Sequence, residues 1–157
     1  MTKNIVDLDV RPILRAKEEP FQVIMTAVNN LGEDEILQLH ATFEPTPLMK
    51  VMGKKGLQSV VQQEEAEHFI VQFYKSEGDR RFFHIDNRGL EPPQPMVRTL
   101  ELLDNRPAFQ DGSLGLEIWN ERVPAFLLPE LEDRQFNYDI HDLENGTVVI
   151  QIYRQAS

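Results

Sequence analysis

The sequence predicts an α+β fold, a two-layer α/β sandwich in which one βαβαββ unit is built twice. Three observations lead there. The chain repeats itself: Leu8-Asp9-Val10-Arg11 returns 77 residues on as Ile85-Asp86-Asn87-Arg88, and Leu37-Gln38-Leu39-His40 returns 79 residues on as Leu116-Glu117-Ile118-Trp119. Short stretches alternate apolar and polar residues, as half-buried strands do. Between them lie stripes of apolar residues at helical spacing, each led by a proline, which suits a first helical turn. A repeat of about 80 residues kept in apolar phase indicates two copies of one small fold, and it is too long for a solenoid unit.

Each unit opens with a strand, over residues 5–10 and 82–87, where Phe83 and Ile85 alternate with His84 and Asp86. A proline-containing turn leads to one helix. Behind Pro20 the stripe is Phe21, Ile24, Met25 and Val28; behind Pro95 it is Met96, Thr99, Leu100 and Leu103. All are expected in the core. A second strand follows over 35–41 and 114–120. The next helix starts at Thr46-Pro47, with Thr46 as the capping hydroxyl, and runs through Leu48, Val51 and Met52 to a stop at Gly56; its counterpart spans 125–134. Two strands close each unit, over 57–62 and 67–74, then 136–141 and 147–153. Asn145-Gly146 reads as the hairpin turn between the last pair.

Residues 76–80 read as a linker, which divides the chain into lobes 1–77 and 78–157. A lobe this small buries only roughly 60% of its extended surface and is marginal alone. The formal net charge of −10 is shared: residues 1–80 carry 9 bases and 13 acids, the remainder 7 and 13. Neither half has the clustered Lys and Arg of a nucleic-acid-binding face, and Lys50, Lys54 and Lys55 read as a solvated helix face. No apolar run is long enough to span a bilayer, and Met1 to Asn4 run straight into the first strand, so neither a membrane segment nor a secretory leader is expected. With no cysteine there is no disulfide, no thiolate metal site and no thiol catalysis. The expected location is cytoplasmic.

The element order, the words Leu8-Asp9-Val10-Arg11 and Ile85-Asp86-Asn87-Arg88-Gly89-Leu90-Glu91-Pro92-Pro93-Gln94-Pro95, and the supporting runs 96–104 and 127–132 resemble the DUF2249 domain family, relatives of the TusA/SirA-like sulfur carriers. The resemblance covers nearly the whole chain as two tandem copies and implies a TusA-like unit in each. In the carriers, a Gly-Leu-x-Cys-Pro-x-Pro motif opens the first helix, and its cysteine holds sulfur as a persulfide. Here the motif maps onto residues 89–95 and the cysteine position is Pro92. In the first unit it falls near Lys17, with Pro20 as the final proline. Neither residue can carry a persulfide.

Several candidate sites remain. Arg88 and Gly89, with Arg11 in the first unit, stand just before a predicted helix N-terminus, where unpaired amides favour an anion. The plainer alternative is that Arg88 pairs with Asp86 or Glu91 and orders its turn. Trp119, Arg122 and Phe126 are candidates for anchoring a partner protein, since Trp and Arg dominate binding hot spots; burial of Trp119 is the alternative. The histidines at 40, 68, 84 and 141 lack metal-ligand spacing. No metal, cofactor or catalytic residue is expected. The favoured function is a non-enzymatic binding or accessory protein that recognises another protein or associates with itself. Two rivals stay open: an anion or small-molecule sensor at the Arg88 turn, and an enzyme using carboxylate or histidine chemistry.

Overall fold

The computed structural model describes residues 3–75, 78 and 80–155. The chain forms two compact units, Met1–Asp79 and Arg80–Ser157. The expected linker and the boundary at residue 77 fall largely on Ser76, Glu77 and Asp79, outside the described residues.

The first unit runs β1 (Asn4–Asp9), α1 (Arg11–Arg15), α2 (Phe21–Asn29), β2 (Glu35–Ala41), α3 (Thr46–Lys54), β3 (Gln58–Glu65) and β4 (His68–Tyr74). Its sheet has the order β1-β2-β4-β3, with β1 parallel to β2 and the other pairings antiparallel. The second unit repeats the pattern: β5 (Phe82–Asp86), α4 (Gln94–Asn105), α5 (Pro107–Gln110), β6 (Gly115–Asn120), α6 (Leu127–Asp133), β7 (Asn137–Asp142) and β8 (Val148–Tyr153), in a sheet ordered β5-β6-β8-β7. The class is α+β and the unit is duplicated.

Alternation along the strands sorts the side chains onto two faces. In the first unit Leu37, Leu39, Ala41, Val71 and Phe73 point toward the helices and pack with Ile24 and Met52. Asp7, Gln38, His40 and Gln72 lie on the face turned away from them. The second unit places Leu116, Ile118, Ile150 and Ile152 on the helix side by the same register. Arg134, just past α6, ties that helix to α4: its Nε and NH2 donate to the Asp104 carboxylate at 2.9 and 3.1 Å, and its NH1 donates to Glu130 at 2.9 Å.

The structure corrects the expected elements in four places. Each unit has two helices, not one, between its first two strands. The extra pieces, α1 and α5, have five and four residues, too few for a periodicity to show. They form because Pro12 and Pro107 sit in the first turn and Ile13, Leu14 and Phe109 find apolar contacts. Phe21, expected in the core, is exposed, because α2 turns only one flank inward, led by Ile24. Thr46 is not the cap of α3: Pro45 holds that position, and no side chain caps the helix. Pro20 likewise precedes α2 as its N-cap residue.

Helices α3 and α6 end alike. Leu57 N–H donates to Met52 O, and Phe136 N–H donates to Leu131 O. The intervening residue must take a left-handed backbone: Gly56 at φ +86° in the first unit, Gln135 at φ +63° in the second. At the edge of the second sheet, β7 pairs on one side only among the described residues and exposes Asp139, His141 and Asp142.

Candidate functional site

At the carboxyl ends of β1 and β5 the repeated word Asp-x-Arg makes the same turn twice. Arg11 donates from its backbone N–H and Nε to Asp9 Oδ1 at 3.0 and 2.9 Å, and from NH2 to Oδ2 at 2.8 Å. Arg88 meets Asp86 through the same atoms at 3.0, 2.9 and 3.0 Å. Its NH1 also donates to Thr147 Oγ1 at 3.2 Å, and its guanidinium lies 5.3 Å above the Trp119 ring. The hydrogen bonds from Arg11 hold the Asp9 carboxyl at about 2, and the carboxylate partners raise both arginines. Gly89, at φ +86°, gives its N–H to Glu121 Oε1 at 2.5 Å.

The candidate anion-binding residues Arg11, Arg88 and Gly89 are therefore each bonded to a carboxylate of the protein itself. Nor does Arg88 directly precede a helix: α4 begins at Gln94. The run of Pro92, Pro93 and Pro95 keeps the intervening segment in turns, since proline offers no N–H for a helical bond.

The candidate partner-binding residues separate. Trp119 is fully buried, and its indole N–H donates to Glu117 Oε2 at 2.7 Å. Glu117 also accepts from Gln151 at 2.9 Å and lies 3.7 Å from His84. Arg122 and Phe126 are exposed on the β6–α6 loop, Phe126 to 85%, with exposed Val123 between them. The Glu121–Gly89 bond pins the root of that loop.

Sequence reasoning missed two clusters. Across the first sheet, on the face away from its helices, runs a chain of hydrogen bonds. Gln72 donates to Gln38 at 2.8 Å, Gln38 donates to Asp7 Oδ1 at 3.0 Å, Asp7 Oδ1 meets His40 Nε2 at 2.6 Å, and His40 Nδ1 meets His68 Nε2 at 2.9 Å. Strand parity was a visible signal that Asp7 and His40 share a face. The β2–β4 register that brings in His68 left none.

The second cluster lies on the helix side of the second unit. Asn87 donates to Thr99 Oγ1 at 3.3 Å and to Asn120 Oδ1 at 3.1 Å, and Thr99 donates to Pro95 O at 2.8 Å. All three are buried. The matching places in the first unit hold Val10, Ile24 and Ala41, buried and wholly apolar. The match is in the backbone too: Val10 N–H donates to His40 O, and Asn87 N–H donates to Trp119 O.

Among the described residues no group of three or more His, Cys, Asp or Glu side chains is placed to hold a metal ion, and no helix is long and apolar enough to cross a membrane. The family model described as "Uncharacterized conserved protein (DUF2249)" matches residues 7–75 and again 84–154. No curated protein and no solved structure matches the chain.

Proposed function

The chain belongs to the DUF2249 family as two tandem copies, and on that footing we propose that it is a binding or accessory protein that recognises another protein. The observation carrying this reading is Phe126, 85% exposed at the end of a loop whose root is fixed by Glu121 and Gly89. A large aromatic ring held in water gains free energy when a partner covers it. Arg122 and Val123 stand beside it in sequence, and a pinned loop loses little entropy on docking.

We read each unit as a TusA-like module without its reactive atom. Pro92 stands at the cysteine position of the second unit, and the corresponding position of the first falls near Lys17. A scaffold of that kind retains surfaces for partners but no sulfur to transfer.

The test is capture from extracts of the source cells, with wild-type protein and Phe126→Ala side by side, followed by calorimetry with the purified partner. Phe126→Ala should leave the melting temperature unchanged and weaken binding by at least about 2 kcal/mol, roughly 30-fold. A partner that binds both forms equally would end the reading.

A further inference from the structure

The Asp7–His40–His68 chain admits one neutral arrangement of protons. A carboxylate only accepts, so the 2.6 Å contact places a hydrogen on His40 Nε2. His40 Nδ1 then presents its lone pair, and His68 Nε2 must donate across the 2.9 Å contact. The remaining lone pair lies on His68 Nδ1, which is bonded to nothing among the described residues. The ring centroids stand 5.1 Å apart for that 2.9 Å nitrogen separation, so the facing lone pair and N–H point almost end to end. Two ligands of one metal ion would have to converge on a third point. The geometry is that of a proton relay.

We propose that His68 is a modification site whose Nδ1 accepts an acyl group from an activated acyl donor, such as an anhydride or acyl phosphate. Nδ1 attacks the carbonyl carbon, an N–C bond forms, and the C–O bond to the leaving group breaks with its electron pair on the leaving oxygen. The Nε2 proton passes to His40 Nδ1, and the resulting imidazolium is held against Asp7. The charged groups around the chain are Asp9, opposite His40; Glu65, opposite His68; and Arg11, engaged by Asp9. Without the relay, the positive charge formed on attack would stay on His68. With it, the charge rests beside a carboxylate. His68 belongs to the first unit and Phe126 to the second, and this proposal does not rest on the reading of the Phe126 loop.

Diethyl pyrocarbonate is a suitable probe. It leaves an ethoxycarbonyl group on nitrogen, and the departing monoethyl carbonate takes up the proton and decomposes to carbon dioxide and ethanol. Full-length protein treated with limiting reagent at neutral pH should carry this group first on His68, several-fold ahead of exposed His141, by peptide mass spectrometry. Asp7→Asn should slow His68 to the rate of His141 and leave His141 unaffected. Labelling of His68 no faster than His141 in the wild-type protein, or no change in Asp7→Asn, would overturn the proposal. Nitrogen-15 spectra supply a test that needs no variant: the neutral His68 ring should be the Nε2–H tautomer, and the Nδ1–H form would overturn it as well.

Discussion

Arg88 grips Asp86 two residues before it, Nε on Oδ1 at 2.9 Å and NH2 on Oδ2 at 3.0 Å, and covers Trp119 with the same guanidinium. One side chain thus closes the β5 turn and caps the indole. Arg88→Ala should lower the stability of the intact protein by about 1–3 kcal/mol, because a charge-assisted pair and a stacked face are lost together. Arg88→Lys should recover little of it, as a point charge matches neither the fork nor the ring. Denaturant melts measure both. A stability equal to wild type would return Arg88 to the pool of groups free to bind an external anion.

The Asp9–Arg11 pair predicts an acid limb for the first unit. Arg11 holds the Asp9 carboxyl at about 2, against an ordinary value of 3.8. A carboxyl depressed by folding stabilises fully above its ordinary value, and that contribution disappears as pH falls through the folded value. Stability should therefore drop between about pH 4 and pH 2 in the wild type, with a shallower slope in Arg11→Ala. The pair is partly exposed, so salt should flatten the difference. Parallel slopes in the two proteins would refute this origin.

The two left-handed helix ends make a matched experiment. Gln135 takes at φ +63° the place Gly56 fills at φ +86°. Gln135→Gly should relieve about 1 kcal/mol of backbone strain, partly offset by the added freedom of glycine in the unfolded chain. Gly56→Gln should destabilise by a similar amount. Beyond its own chain neighbours, Gly56 has open space where a side chain would start, so the effect would be one of backbone conformation and not of crowding. Urea midpoints decide the sign of each.

The buried polar trio predicts strong non-additivity. Asn87→Val alone leaves Asn120 Oδ1 and Thr99 Oγ1 without their donor and should cost about 1–3 kcal/mol. Replacing all three by the first unit's residues, Asn87→Val with Thr99→Ile and Asn120→Ala, should recover most of that loss, because no buried group is then orphaned. A triple variant as unstable as the sum of its singles would show that the network itself stabilises the unit.

How much could be read in advance depended on range. The strand at residues 35–41 was legible to the residue, since Leu37, Leu39 and Ala41 alternate with Gln38 and His40 and the repeat supplied a second copy for comparison. The short helices holding Ile13 and Phe109 were not, because one turn has no period. The Arg88–Asp86 pair was visible as an alternative because its partners are two positions apart. In the Asp7–His40–His68 chain the His68 link was invisible, because it depends on which residue of β4 faces which residue of β2, and pairing register leaves little trace in one sequence. Trp119 and Phe126 show the same limit: both are large aromatics near one strand end, yet one is sealed and the other bare.

A strand paired on one side only offers its other row of amides and carbonyls as a template on which a second chain can add. In β7 that row runs beside Asp139 and Asp142, both exposed. A copy arriving from another molecule would carry the same acids and set like charges against like. The border of the second sheet thereby discourages runaway stacking of identical molecules, whether in a crowded cell or in a partly folded intermediate.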